Sequence, residues 1–152
     1  MMKDKKIVIF DLDGTLALID KRRDLSMVDG KFDWDIFFNP VNIDLDEPNI
    51  PVINMAQILN AQGFGIVILS GRADKTKFRT MDWLDKHDVP FDLLQMRPAD
   101  KHFMPDNDFK KQLLNEHADI DDVFLVVDDR QQVVDMWRSN GLTTFQVADG
   151  DF

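Results

Sequence analysis

A chain of 152 residues, 44% hydrophobic and 30% charged, is long enough to bury a core of its own and falls in the range of one globular domain. It contains no cysteine, which excludes disulfides, thiolate metal sites and cysteine nucleophiles, and its formal charge of −10 repels phosphate backbones, so a nucleic-acid partner has to be caught locally. No run reaches the roughly 20 apolar residues of a membrane-spanning helix, and the start MMKDKKIVIF has too short an apolar stretch for a signal peptide. A soluble, cytoplasmic protein without a membrane partner is expected.

The first element is the apolar run Ile7 to Phe10, which suits a strand buried on both faces of a parallel sheet and which breaks at Asp11. Residues 17–51 then carry the charged stretch IDKRRD, the aromatic stretch FDWDIFF and three prolines. This irregular, partly helical excursion reads either as a small cap or as a long connection with no role over a site. Its Phe32, Trp34, Phe37 and Phe38 either stack on a base or fill a small core of their own.

Helical and strand patterns alternate from there: VINMAQILNAQ, GFGIVILSGR, KFRTMDWLDKH, FDLLQMR, DFKKQLLNEH, DVFLVVDDR, QQVVDMWRSNG and LTTFQVADGD. Gly63 and Gly141 stand where a helix ends in a left-handed residue. Trp83 and Trp137 recur at helical spacing with Met81, Leu84, Val133 and Val134, the pattern of core positions. His87, His102 and His117 have no metal-ligand spacing and read as surface residues. The alternation predicts an α/β fold, a Rossmann-like doubly wound parallel sheet of about five strands, with the ligand site at the strands' C-terminal ends.

Polar residues gather at that edge. Asp11 and Asp13 leave the first strand two residues apart and either share a metal ion or divide the roles of nucleophile and acid/base. A carboxylate is a competent nucleophile toward phosphorus once a cation neutralises the phosphate, so Asp11 can form an acyl phosphate while Asp13 handles protons, and Gly14 permits the sharp departure. Ser70, Gly71 and Arg72 end the second strand, where a hydroxyl, backbone N–H groups and a guanidinium can meet phosphoryl oxygens, or form an ordinary turn. Lys110, with Lys111 beside it, opens a helix from which one ammonium can steady the transferring group. Asp128 and Asp129 end the fourth strand. With Asp11 and the Asp13 carbonyl, Asp128 offers the oxygen ligands that Mg2+ prefers, and Asp129 binds a metal-bound water or caps the next helix.

The ordered set DLDGT, the serine of SGR, a helix-borne lysine and the acids of DDR resembles the haloacid dehalogenase superfamily over essentially the whole chain. DLDGTLAL followed by Arg22, SGR, DDRQQVVDMWRSNG and the tail FQVADGDF look like the 3′-phosphatase domain of the bacteriophage polynucleotide kinase/phosphatase family. That resemblance implies Asp11 as nucleophile, Asp13 as general acid/base, and Thr15, Arg22, Ser70, Gly71, Arg72 and Lys110 around the phosphate. It also implies Asp11, Asp13, Asp128 and Asp129 around Mg2+. Residues 97–106 depart from the family pattern, and no GxxxxGK[ST] loop occurs among the 152 residues, so no kinase activity is expected of them.

The expected function is Mg2+-dependent removal of 3′-phosphates from DNA or RNA ends through an aspartyl-phosphate, by a single domain of residues 1–152 with 17–51 as cap. A phosphatase of nucleoside monophosphates, and a non-catalytic module that binds phosphorylated ends, are the alternatives. Phosphate release from polynucleotide and mononucleotide substrates separates all three.

Overall fold

The computed structural model describes residues 6–150; the first five residues of MMKDKKIVIF and the last two of the FQVADGDF tail lie outside the described residues. The central sheet is built on β1 (Ile7–Phe10), which pairs in parallel with β6 (Gly65–Ala73) on one side and β8 (Val123–Asp128) on the other. Outside these lie β7 (Leu93–Arg97) and β9 (Thr144–Gln146), both parallel, giving the order β7-β6-β1-β8-β9. Every strand therefore ends at the same edge, and the doubly wound α/β fold expected from the alternation is what forms.

Successive side chains of a strand alternate between faces, and both faces here are covered. Val8, Phe10, Ile66 and Ile68 pack under α3 (Ile50–Ala61) and α4 (Lys77–Lys86), through Val52, Ile53, Ala56, Trp83 and Leu84. Ile7, Ile9, Val67 and Leu69 pack under α5 (Asp106–His117) and α6 (Gln131–Ser139), through Phe109, Leu113, Val133, Met136 and Trp137. Gly63 and Gly141 have positive φ of 97° and 83° just past α3 and α6, the left-handed turn that frees the chain for the next strand.

Residues 17–51 contain more regular structure than their sequence indicates. β2 (Ala17–Leu18) pairs antiparallel with β5 (Glu47–Pro48), which closes the entry and exit of the excursion against each other. Between them run α1 (Asp20–Ser26), the hairpin β3 (Met27–Val28) with β4 (Lys31–Phe32), α2 (Trp34–Phe37) and a 3-10 segment, Pro40–Leu45.

One local expectation fails. Met81 is 39% exposed, because a residue two positions before buried Trp83 on α4 points to the far side of the helix. The last strand ends at Gln146, before the polar end of LTTFQVADGD, and the chain leaves the sheet to lie over the loop after β8, with the Gln131 N–H donating to the Gly150 carbonyl.

Candidate active site

Asp11 is the first residue past β1, and its N–H still bonds the Val127 carbonyl at 2.9 Å, so the carboxylate projects from the end of the sheet. The chain then folds back tightly, with Ala17 N–H on the Leu12 carbonyl at 2.9 Å. Gly14 sits at φ 84°, and a Cβ there would strike the Asp129 carboxylate, so both backbone and space require glycine. This turn sends Asp11 and Asp13 to different partners.

Asp11 faces β8 and α5. Its Oδ1 lies 2.6 Å from Lys110 Nζ, which also reaches Asp128 Oδ2 at 3.1 Å and Asp106 Oδ2 at 3.7 Å. Lys110 is buried while Lys111 is exposed, which settles which of the two adjoins the carboxylates. The Asp128 carboxylate is held on all sides: the N–H groups of Asp129 and Arg130 donate to Oδ1 at 2.8 and 3.4 Å, and Trp137 Nε1 donates to Oδ2 at 3.1 Å. Thr15 Oγ1 lies 3.2 Å from both Asp11 Oδ2 and Asp129 Oδ1, so the hydroxyl bridges two acids at the base of the site. Asp129 does not cap α6; Arg130 is the cap residue and makes no side-chain cap bond.

Asp11, Asp128 and Asp129 offer carboxylate oxygens within 4.8 Å of one another, all buried. Burial pushes the Asp11 carboxyl well above the ordinary carboxylate range; Lys110 pulls it back, and Asp128 and Asp129 push it up again. Burial alone would lower the Lys110 ammonium, but Asp11, Asp128 and Asp106 hold it well above the usual lysine value. Three acids against one ammonium leave excess negative charge in a low-dielectric pocket, and an all-oxygen donor set of this kind fits a hard divalent cation such as Mg2+.

Asp13 faces the other way, toward the excursion. Its Oδ1 accepts from Arg22 Nη2 at 2.8 Å and from Arg72 Nη2. Burial acts to raise its pKa, but the Arg72 and Arg22 guanidiniums win and hold it down at about 2. Both arginines are completely buried and meet again on Asp46, whose carboxylate accepts from Arg22 Nε at 3.0 Å and from Nη2 of Arg22 and Arg72 at 3.0 and 3.1 Å. Arg22 also lies over the Phe37 ring at 4.2 Å and donates to the Phe37 carbonyl, while Arg72 Nη1 donates to Thr80 Oγ1. Arg72 Nε is a buried donor without a partner among the described residues. An anion entering here finds an N–H ready for it.

Ser70 lies between the two halves, its Oγ accepting from the Arg72 N–H at 3.0 Å. Gly71 is there because a Cβ would strike the Asp106 carboxylate. The Gly71 carbonyl accepts from Arg97 Nε at 3.1 Å, and Arg97 Nη1 donates to the carbonyls of Lys101 and Met104, which ties the loop after β7 to the last residues of β6.

Every residue expected at the site from sequence thus lies at this sheet edge. A model of the polynucleotide kinase PNKP phosphatase domain matches residues 5–152. The chain belongs to that family of haloacid dehalogenase phosphatase domains. A chain of the Pnkp1/Rnl/Hen1 RNA repair complex is 36% identical to it, with a TM-score of 0.81, covering 97% of this chain and 44% of that one. A chain of a second Pnkp1/Rnl/Hen1 complex is 34% identical, with a TM-score of 0.79 and coverages of 99% and 48%. This phosphatase domain therefore spans less than half the length of either chain. A predicted phosphatase from Clostridium acetobutylicum shares the fold at 15% identity and a TM-score of 0.74, covering 93% of this chain and 84% of that one.

Four contributors to the phosphatase site are missed by sequence reasoning. Asp46 holds both arginines, and nothing in IDLDEP marks it. Asp106 lies one turn before Lys110, the i,i+4 acid–base spacing that could have drawn attention to it. Trp137 and Trp83 are core residues as expected, but each also spends its indole N–H on the site: Trp137 on Asp128 Oδ2, and Trp83 on the Asp46 carbonyl at 3.0 Å.

Proposed function

We propose that this domain removes 3′-phosphates from polynucleotide ends through a phosphorylated Asp11, with Mg2+ as cofactor. The reading is carried by one observation: a buried carboxylate at a strand end, paired with Lys110 at 2.6 Å, in a chain that matches the polynucleotide kinase phosphatase domain over residues 5–152. Asp11 Oδ attacks phosphorus in line with the leaving 3′-oxygen. The P–O3′ bond breaks, and Asp13 gives that oxygen its proton. In the second half Asp13 takes a proton from a water whose oxygen attacks phosphorus, and the bond to Asp11 breaks to release inorganic phosphate.

Asp11, Asp128, the Asp13 carbonyl and, through a water, Asp129 would hold Mg2+, which supplies charge neutralisation for the carboxylate and the phosphoryl oxygens when bound. Lys110 orients the Asp11 carboxylate and meets the charge on the transferring group. Thr15 fixes Asp11 from below, and Ser70 and the Gly71 N–H receive phosphoryl oxygens.

Arg22 and Arg72 hold Asp13 ionised in the free enzyme, so its use as an acid requires them to turn to the incoming phosphate; the partnerless Arg72 Nε supports that exchange. Residues 17–51 act as a cap, since they supply Arg22 and Asp46 to the site they cover. These residues are assigned the phosphatase step alone.

A second reading, hydrolysis of nucleoside monophosphates, is favoured by the charge of −10. Phosphate release with and without Mg2+ from a 3′-phosphorylated oligonucleotide, a 3′-mononucleotide and p-nitrophenyl phosphate decides between them. Higher kcat/KM on the oligonucleotide supports end healing, equal or higher kcat/KM on the mononucleotide overturns it, and no release from any of the three overturns catalysis altogether.

A further inference from the structure

We infer that Trp34 is a stacking platform for the unpaired terminal base of the strand whose 3′-phosphate enters the site. This rests on the polynucleotide reading above and adds to it the element that tells a nucleotide end from a bare phosphate.

The aromatic residues of 32–38 form a single ring cluster, and its members are not equivalent. Phe37 is buried under the Arg22 guanidinium, 4.2 Å from its ring centre, and so belongs to the phosphate end of the site. Trp34 packs edge-on against Phe32 at 4.6 Å and Phe37 at 5.8 Å and near-parallel to Phe38 at 5.8 Å, yet remains 61% exposed. One ring contact and one cation–π contact therefore separate the exposed indole from an arginine bonded to Asp13, and the base of a 3′-nucleotide lies one sugar from its phosphate. The chain's other two tryptophans, Trp83 and Trp137, are buried, so exposure of this one is a departure from the rest of the molecule.

The exposed part of the indole lines a shallow groove of about 440 Å³ together with Val28, Lys31, Phe32, Asp33 and Asp35. Asp33 is spent on capping α2, accepting from the N–H groups of Asp35 and Ile36. The charged groups of the groove are then Lys31 and Asp35, with Asp33 held at its edge by the cap, beside Val28 and the rings of Phe32 and Trp34. A flat base fits this chemistry: its face stacks on the indole, its exocyclic amine can donate to Asp35, and the next phosphate of the strand can meet Lys31. A phosphate alone in the groove would face Asp35 without gaining the stack. Stacking is also the mode of capture open to a protein of charge −10, because it needs no basic field and tolerates any base.

Because Trp83 and Trp137 are buried, acrylamide quenching of tryptophan fluorescence reports on Trp34. The test uses the Asp11→Asn protein, which holds substrate without turning it over. Its probes are a single-stranded 3′-phosphorylated oligonucleotide, the same strand with an abasic last residue, and inorganic phosphate. The base-bearing end is expected to reduce quenching, and the other two to leave it unchanged. In the active protein, Trp34→Ala is expected to raise KM for the base-bearing end on the order of tenfold with kcat held, to raise it much less for the abasic end, and to be largely rescued by Trp34→Phe.

Equal protection by all three probes, no protection by a strand shown to bind by competition, or equal KM for base-bearing and abasic ends in the wild type each overturns the platform. So does protection already present without any probe and lost on dilution, which would mean that a second copy of the chain covers the groove. If the wild type releases no phosphate from the oligonucleotide while hydrolysing a mononucleotide, the substrate reading has failed; if it releases phosphate and Trp34 stays quenchable, only the platform has.

Discussion

The two halves of the site are built by opposite means. The half around Asp11, Lys110, Asp128 and Asp129 is made by the sheet: two neighbouring strands end there, and the helix behind them supplies the lysine. It carries more acid than base. The half around Asp13, Arg22, Arg72 and Asp46 is made by folding the 17–51 excursion back on the sheet, and its two guanidiniums meet two carboxylates. The first half is charged up for a cation and the second is neutral by internal pairing, so an incoming phosphate meets an empty role on one side and competes for occupied arginines on the other.

That contrast can be broken at its strongest point by Asp11→Asn, which should reduce turnover on the order of 10⁴-fold or more while circular dichroism and unfolding remain those of a folded protein. Full activity in this variant would remove the nucleophile from the scheme. On the arginine half, Asp46→Ala leaves two buried guanidiniums short of a partner, and urea unfolding should show a loss of about 3 to 5 kcal/mol. A cost near zero would mean that the pair is satisfied by Asp13 alone.

Asp13 sharpens the comparison through pH. Its folded value of about 2 lies below the ordinary 3.8, so its ion pairs stabilise the fold above the ordinary value and are lost as pH falls toward 2. The difference in unfolding free energy between wild type and Asp13→Asn should therefore shrink by about 2 kcal/mol from pH 6 to pH 2. A flat difference would mean that the arginines are paired no better in the folded chain than out of it. The smallest effect belongs to Trp137→Phe, which keeps the ring in the core and deletes only the N–H on Asp128. The Mg2+ concentration that half-activates the enzyme should rise about tenfold with kcat at saturation unchanged.

The sheet half was legible in the sequence because its grammar is local: an apolar run with buried strand character stops at an acid, and parallel strands put all such stops on one edge. The same rule placed Asp11, Ser70 and Asp128, whereas Lys110, the fifth residue of α5, was legible only through the family resemblance. The excursion half was legible only in Asp13, Arg22 and Arg72. Asp46 meets Arg22 across 24 residues and Arg72 across 26, in an irregular segment without periodicity to mark which face turns inward. The hydrogen bonds of Trp83 and Trp137 were hidden for another reason. Helical spacing identifies a residue as buried but is silent about where a single N–H points inside the core.

The position of β1 has a consequence for how the molecule comes off the ribosome. Within the central sheet the earliest strand in the chain is the middle one, Ile7 to Phe10 without a charged residue, and its two neighbours begin only at Gly65 and Val123. For most of translation one or both of its edges lack a partner, and such an edge is open to pairing with other nascent chains. Thr15 and Asp129, which share a hydrogen bond in the finished site, are 114 residues apart, so hydrolysis cannot begin until nearly the whole of this length has folded. Activity therefore reports on long-range closure of the domain rather than on any one of its local elements.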